Sequence, residues 1–409
     1  MLIKLLVLQG LIALLGFAST SILTKVYGIA AFGEITFAIA VANVFACLIR
    51  YGYDETLIVR LHKSKYIKSE FLVSLFVRYG LFLTCSCTLF LIPENISQLN
   101  LKQVFIVVSF LLTILQLQTI FDFVGKQVLQ VSTVAFNKLL IVVFLFIFSY
   151  FFDALTNYTI SVATANILIL AIQFYLYQKI KPFPPASKCF VNFRSILAEQ
   201  LKGNFSIMVA SLLVLSLYSI NQIIIKEKLS FIELGVFAVQ WQVVNVFVIL
   251  LKQLTRIYKP KLALYLNSSN TKFRNYFIEY SLVVSFIPSI AGMLIYPFYD
   301  IIFGSLFGEG LMGYKNIYIL MMLFLFLRGL HLSLTQWFIL FQVNRLIMIS
   351  NMFTLIGVSA VTFMCWDNYS LTDAVLAMII GMGVAIVFLV ICFLLTYCNK
   401  KTLSKIKDI

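Results

Sequence analysis

The chain has 409 residues, of which 62% are hydrophobic and only 11% are charged, and its mean hydropathy is +1.00. Soluble domains carry about 25% charged residues, so the composition excludes a soluble globular protein and indicates a polytopic membrane protein with helical spans. A net charge of +15 would suggest nucleic-acid binding in a soluble protein. The distribution of the cations, given below, excludes that partner.

Apolar runs of the length that crosses a bilayer, about 20 residues, follow one another along the chain. We predict twelve spanning helices, over residues 5–24, 34–50, 71–92, 104–121, 134–152, 158–178, 204–225, 234–251, 278–299, 315–340, 346–366 and 373–397. Twelve spans place both termini on the same side of the membrane. The sequence therefore predicts an all-α polytopic protein.

The lysines and arginines are distributed unequally between the two sets of alternate loops. Of the 31, the set containing both termini holds 24, the opposite set holds five, and Arg78 and Arg328 lie inside predicted helices. Short cytoplasmic loops retain cations. We therefore predict that both termini are cytoplasmic and that the basic character reflects membrane topology.

One stretch of the first half recurs in the second. Residues 33–50 and 235–252, offset by 202 positions, share six identities in eighteen, including Asn43 with Asn245, and both end on a cation, Arg50 and Lys252. An offset of half the chain predicts a duplicated module. Since six spans is an even number, the two repeats are parallel.

The proline-containing break at 181–203 lies at the midpoint that the duplication requires. We predict a six-helix bundle over 1–180, a cytoplasmic linker over 181–203, and a second six-helix bundle with a short basic tail over 204–409. Proline-rich linkers are semi-rigid spacers between domains.

Two arginines within the spans are candidate substrate ligands. Arg328 lies near the bilayer midplane, where a lipid-facing charge costs at least about 3 kcal/mol, and His331 and Thr335 share its helix face. We predict that Arg328 and His331 line a cationic translocation cavity, the alternative being an ion pair of Arg328 with an acid elsewhere, Asp122 or Glu279. Arg78 lies about 12 Å inside the third helix, so snorkelling to the interface is the alternative for it.

The duplicated stretches add a polar stripe to each half. Asn43 lies two helical turns before Arg50, and Asn245 two turns before Lys252, so each pair shares one helix face. We predict that the asparagines face a cavity and that the cations contact substrate. The alternative for each pair is a helix–helix hydrogen bond plus an interfacial cation.

The sequence contains no catalytic or cofactor constellation. It has only two histidines, its seven cysteines have no metal-ligand spacing, and it has no phosphate-binding glycine-rich loop. We therefore predict a protein that is not an enzyme, with no catalytic residue, metal or cofactor.

The first hairpin, LTKVYGIAAFGEITFAIAVANVFACLIRYGYDETLIVRL over 23–61, resembles the N-terminal signature of Wzx-type O-antigen and polysaccharide flippases. The elements that carry the resemblance are Gly28, Phe32-Gly33, the segment Tyr51-Gly52-Tyr53 and Arg60. The stretches 225–247 and 301–310 are similar to that family's seventh-to-eighth helix turn and to its loop before helix ten.

The resemblance implies the multidrug/oligosaccharidyl-lipid/polysaccharide exporter fold, with two six-helix bundles in a V, as in MATE transporters, around a cationic cavity. It also implies a bacterial inner-membrane protein that moves undecaprenyl-diphosphate-linked oligosaccharide, an O-antigen or similar repeat unit, to the periplasmic leaflet. A polysaccharide polymerase and a chain-length regulator would be functional partners. The alternatives are a cation-coupled multidrug exporter of the same superfamily and a membrane glycan polymerase or acyltransferase.

Overall fold

The structure is a computed structural model that describes residues 2–63, 66–91, 99–180, 193–268, 270–341 and 343–398. Within these ranges the regular secondary structure is entirely helical, which confirms the predicted fold class. The chain forms two compact units, Met1–Lys226 and Glu227–Ile409.

The first unit contains nine described α-helices, with one 3₁₀ turn between the fifth and the sixth. They are α1 Leu2–Tyr27, α2 Ile29–Arg50, α3 Tyr53–Lys63, α4 Ile67–Leu91, α5 Leu101–Leu111 followed by 3₁₀ Leu112–Leu115, α6 Gln118–Phe123, α7 Gln127–Phe148, α8 Ala154–Ile180 and α9 Phe193–Lys228. The helix α3 lies in a region that the sequence analysis treated as a loop.

The second unit contains six described α-helices. They are α10 Phe231–Ser268, α11 Asn270–Met293, α12 Tyr299–Phe307, α13 Lys315–Leu340, α14 Asn344–Met364 and α15 Leu371–Cys398. The segment 301–310, which resembles a loop before helix ten, is largely helical because α12 covers Tyr299–Phe307. The next residue, Gly308, has a φ of +100° and terminates the helix.

The structure has eleven to twelve candidate spans, against twelve predicted. Among the described residues, eleven helical segments are long and apolar enough to cross a bilayer, and a twelfth arises if Phe193–Leu213 and Tyr218–Lys228, bent by 43°, form one span. The spans coincide in order with the twelve predicted from hydropathy. The seventh differs in shape, because it is bent.

The order of helix packing repeats between the units. In the first, the second span (α2) packs on the fourth (α5), the fourth on the sixth (α8), and the fifth (α7) on the sixth. In the second, the eighth span (α10) packs on the tenth (α13), the tenth on the twelfth (α15), and the eleventh (α14) on the twelfth. A duplicated six-helix module in the same orientation has this recurrence.

The boundary between the compact units lies later than the predicted linker. Residues 181–192 are outside the described residues, and 193–203 form the start of α9 instead of a linker. The N-terminal part of α9 is bonded to α3: Tyr53 donates to Gln200 at 2.8 Å and Thr56 to Asn204 at 3.0 Å. These bonds place α9 with the first unit, whereas the division into six and six spans remains a prediction.

Candidate functional site

A polar cavity of about 250 Å³ in the first unit contains two of the predicted site residues, Arg50 and Arg78. We call it the arginine pocket. The residues that line it are Arg50, Asp54, Arg78, Thr113, Ile114, Gln116, Thr119, Asp122 and Gln130. It therefore combines two guanidinium groups, two carboxyl groups and several neutral polar side chains within one unit.

Arg78 turns into the protein and does not snorkel. It lies eleven residues into α4, about 16 Å from the start of that helix, and only 4% of its surface is exposed. Its Nη2 atom donates to Oδ1 of Asp54 at 3.0 Å, and the guanidinium lies 5.4 Å from the ring centroid of Tyr53. The Nε atom is buried with no hydrogen-bond partner among the described residues. Arg78 thus retains a donor for a ligand.

Arg50 shares the same carboxylate. Its Nε atom lies 3.6 Å from Oδ2 of Asp54, and the side chains of both residues are nearly half exposed. Two guanidinium groups therefore hold one carboxylate, which a stronger anion can displace. Arginine forks pair with phosphate oxygens in two-bonded geometry, so the pocket has the chemistry of a phosphate site occupied by an internal carboxylate.

The helix α3 positions Asp54. It begins after Tyr51 and Gly52, which have φ values of +48° and +72°, and a side chain at Gly52 would also meet the Asn204 carbonyl oxygen at 3.1 Å. The apolar face of α3 buries Tyr53, Leu57 and Leu61, in a core cluster with Phe71, Val77 and Phe121. This packing fixes the first turn of α3, which carries Asp54, beside α4.

Tyr53 is a hydrogen-bond donor at this turn. Burial raises the pKa of its hydroxyl, an effect that the positive charges of Arg78 and Arg60 oppose. The neutral hydroxyl donates to Oε1 of Gln200, whose amide donates in turn to Glu70. The ring that stacks under Arg78 is thereby held in place.

The fourth span is broken where it borders the arginine pocket. The chain passes from α5 through a 3₁₀ turn to Gln116, which has an extended ψ of 143°, before α6 begins. The side chain of Gln173 accepts from the freed Leu117 amide at 2.7 Å, and Gln116 donates to Asn166 at 3.3 Å. Irregular backbone at membrane depth is tolerated where it lines a cavity and its polar groups are satisfied.

The second unit presents Arg328 differently. Arg328 lies at the midpoint of α13, is half-buried, and forms no ion pair within the part of the chain that the structure describes. Glu279, considered as a partner from the sequence, accepts a hydrogen bond from the Tyr258 hydroxyl at 3.0 Å. His331 is 4% exposed and its Nε2 lies 3.2 Å from Oγ of Ser350. His331 therefore contacts α14, and its predicted place in a translocation cavity remains a prediction.

Among the described residues, Asn43 and Asn245 do not line the arginine pocket. Asn43 is half-buried in α2 and Asn245 is exposed in α10, and neither forms a side-chain hydrogen bond within the described ranges. Lys252 belongs to α10, but its side chain lies outside the described residues. The polar stripes predicted on these two helices remain predictions.

Asp54 and Lys138 were not among the predicted site residues. The spacing of Tyr53, Leu57 and Leu61 at four residues was the signal for α3 and hence for the position of Asp54. Lys138 lies four residues inside the predicted helix 134–152 but was counted with the loop before it. In the structure it lies eleven residues into α7 and ten before its end, on an exposed part of the helix. A cation at this depth is costly unless it faces water or a partner, so Lys138 is a further candidate ligand.

No protein family matches the sequence, and no curated protein is similar to it. Solved structures do share the fold. The lipid II flippase MurJ in an inward closed conformation superposes with a TM-score of 0.72 at 15% identity, covering 96% of this chain and 87% of that chain. The MATE multidrug transporter DinF-BH superposes with a TM-score of 0.69 at 13% identity, covering 98% of this chain and 95% of that chain.

A third structure, a MOP superfamily transporter from Pyrococcus furiosus, superposes with a TM-score of 0.67 at 14% identity and covers 99% of this chain and 95% of that chain. Its description reports a binding pocket of reversed polarity that suggests a different function. The chain thus has the fold of MATE transporters and of the lipid II flippase MurJ. These similar structures are transporters and a flippase, and identities of 13–15% establish the fold alone.

Proposed function

We propose that the protein is a flippase for a lipid-linked oligosaccharide whose diphosphate is held by the arginine pocket. The observation that carries this proposal is the sharing of the Asp54 carboxylate by Arg50 and Arg78 in a polar cavity beside a broken span. The fold shared with MurJ supports a lipid-linked substrate. Undecaprenyl-diphosphate-linked O-antigen or a similar polysaccharide repeat unit is the substrate that the sequence resemblance favours.

The chemistry of the pocket favours a phosphate over a carboxylate. A diphosphate carries more charge and more acceptor oxygens than Asp54, so it can pair with both guanidinium forks and with the unpartnered Nε of Arg78. Asp54 is nearly half exposed, so its carboxylate can turn toward water when it is displaced. Asp54 then acts as the resident counter-ion of the pocket between transport cycles.

The proposal includes the cellular setting given by the resemblance and the charge distribution. The protein would reside in the bacterial inner membrane with both termini in the cytoplasm. It would move the substrate by alternating access to the periplasmic leaflet, where a polymerase and a chain-length regulator would act on it. Mid-span Arg328 is the candidate for a second contact with the anionic part of the substrate.

Export of a drug is the second candidate function. The fold shared with DinF-BH, a multidrug transporter, favours it. Two arginines at the polar cavity favour an anion over a cationic drug, so we rank this function second. Loss of drug resistance with unchanged surface glycan in a deletion strain would reverse the ranking.

The direct test is complementation of a strain that lacks the gene. We expect Arg78→Ala to abolish surface glycan and to cause lipid-linked oligosaccharide to accumulate in the inner leaflet, while Arg78→Lys keeps partial function because it retains the charge without the fork. The control is Arg194→Ala, which removes an exposed arginine from α9. Normal surface glycan in Arg78→Ala cells at equal protein level would overturn the proposal.

A further inference from the structure

An apolar groove lies beside the arginine pocket in the first unit. Its volume is about 480 Å³, and side chains of α4, of the break in the fourth span and of α8 form its walls. The residues used below to define this apolar groove are Phe71, Leu75, Tyr79, Leu117, Ala171 and Tyr177. None of the described residues that line it is charged.

The apolar groove and the arginine pocket share their walls. Gln116 lines the pocket and Leu117 lines the groove, and Arg78 and Tyr79 of α4 are divided in the same way. In α4 and in the break of the fourth span, one residue therefore lines the arginine pocket and the next residue lines the apolar groove. A molecule with an anionic head in the pocket has an apolar surface available immediately next to that head.

The depth of the groove matches one leaflet. Its α4 residues span Phe71 to Tyr79, eight residues or about 12 Å of helix, and begin four residues after the start of α4 at Ile67. On α8, Tyr177 lies three residues before the helix end at Ile180. The groove therefore runs from near one membrane interface to about the middle of a hydrocarbon core about 30 Å thick.

Aromatic side chains give the groove a defined shape. The rings of Phe71 and Tyr177 stack with centroids 6.2 Å apart at its outer end. Tyr79 and Phe174 are 41% and 56% exposed in the absence of a membrane, so a bound chain would cover their rings. Within the hydrocarbon core a bound chain replaces bilayer lipid on these rings, so its binding depends on packing contacts and not on removal of apolar surface from water.

We infer that the apolar groove binds the hydrocarbon chain of the same lipid-linked substrate whose diphosphate lies in the arginine pocket. This inference rests on the proposed function and deepens it. The occupant is the prenyl chain of a diphosphate lipid, because the adjoining pocket offers two arginines to an anionic head. A bulk phospholipid chain in the groove would have no such dependence on the pocket.

The test uses photoreactive geranylgeranyl diphosphate, with the reactive group on the prenyl chain, and the purified full-length protein in lipid nanodiscs. We expect crosslinks on α4 and α8 in the groove. Ala171→Trp should fill the groove and reduce these crosslinks about tenfold, the effect of losing packing contacts worth about 1.4 kcal/mol. The matched control is Tyr175→Trp, which places the same side chain on an exposed face of α8 outside the groove.

A second readout separates the groove from the pocket. Inorganic pyrophosphate should compete with the probe in both the wild type and Ala171→Trp, whereas Arg78→Ala should lose this competition.

Crosslinks elsewhere in the wild type, with pyrophosphate competition intact, would overturn the assignment of the groove and leave the proposed function standing. Crosslinking in the groove by uncharged photoreactive geranylgeraniol that equals the diphosphate signal would also overturn it, since the groove would then be a bulk lipid site. Unchanged pyrophosphate competition in Arg78→Ala would overturn the proposed function instead.

Discussion

The two units contain mid-membrane arginines in opposite states. In the first, Arg78 is buried, paired with Asp54 and stacked on Tyr53. In the second, Arg328 is half-buried at the midpoint of α13 and has no ion pair within the described ranges. The first arginine belongs to a preorganised site with an internal counter-ion. The second depends on water or on substrate for its charge to be satisfied.

Because of this difference, we expect removal of each arginine to change the free energy of unfolding by a different amount. Loss of Arg78 leaves the Asp54 carboxylate with only Arg50 as a partner, so stability falls together with ligand binding. Asp54 is nearly half exposed, and the stability term is accordingly small, about 1 kcal/mol or less. Loss of Arg328 leaves no ion-pair partner behind among the described residues, so we expect little loss of stability.

The largest effect that sharpens this comparison is expected for Arg328→Ala. If Arg328 contacts the anionic substrate, its removal should lower the transport rate about tenfold or more, the value of a charge-assisted hydrogen bond. The free energy of unfolding should change by less than about 0.5 kcal/mol. Both quantities can be measured with purified protein, in proteoliposome flipping assays and thermal denaturation.

Arg274→Ala is the control for this variant, because Arg274 is exposed on α11 of the same unit. Marked destabilisation by Arg328→Ala would contradict the comparison, since it would mean that Arg328 has a structural partner after all.

The next effect concerns how tightly each arginine-bearing helix is packed. A Cβ atom at Gly329 would lie 2.7 Å from the Ser285 Cα atom, whereas a Cβ at Gly80, two residues after Arg78, would meet nothing within 4 Å. Gly329→Ala should therefore destabilise the protein by about 1–3 kcal/mol through overpacking. Gly80→Ala should be neutral or stabilise α4 by up to about 1 kcal/mol. Thermal denaturation of the two variants in one detergent compares them directly, and equal midpoints would refute the packing difference.

A smaller effect is expected for Lys138→Met, which removes the mid-span cation of α7 while keeping an apolar side chain of similar length. Since no carboxylate among the described residues pairs with Lys138, it should contribute to anion transfer as a point charge. We expect the transport rate to fall about threefold to fivefold, as for a water-exposed charge interaction. An unchanged transport rate would mean that Lys138 faces lipid. The arginines would then be the remaining candidate cations for the anion site.

The smallest effect is expected for Asp54→Asn, which keeps the shape of the side chain and removes the internal anion. A ligand phosphate would no longer have to displace a carboxylate, so pyrophosphate should bind a few-fold more tightly, the value of a half-exposed ion pair. The measurement is a titration of the purified protein at constant ionic strength. Weaker binding in Asp54→Asn would show that Asp54 supports the ligand instead of competing with it.

The architecture was predictable because bilayer thickness fixes the length of each apolar run. Eleven of the predicted spans, and a twelfth if the bent helix pair at 193–228 is one span, followed from hydropathy, and Arg78 and Arg328 stood out as cations inside the predicted spans. The same reasoning failed for α3, which lies outside the apolar runs and carries charged residues, among them Asp54 and Arg60. Its apolar face packs inside the protein, so only the four-residue spacing revealed it.

The partners of the polar groups were not predictable, because they come from distant parts of the chain. The pairing of Arg78 with Asp54 required α3 to fold back on α4. The bond from Leu117 to Gln173 joins residues 56 positions apart. Lys138 was missed for a different reason. The polar residues between 126 and 133 put the predicted helix start at 134, whereas α7 starts at Gln127. Lys138 therefore lay close to the predicted helix start and was counted with the loop.

The most direct test of the arginine pocket is the dissociation constant of geranylgeranyl diphosphate for the purified protein. Loss of the Arg78 guanidinium should weaken binding about tenfold to a hundredfold in Arg78→Ala, as expected for charge-assisted hydrogen bonds to phosphate. Arg78→Lys should bind with intermediate affinity and Arg194→Ala like the wild type. Equal affinity of the wild type and a correctly folded Arg78→Ala variant would contradict the assignment of the arginine pocket as the diphosphate site.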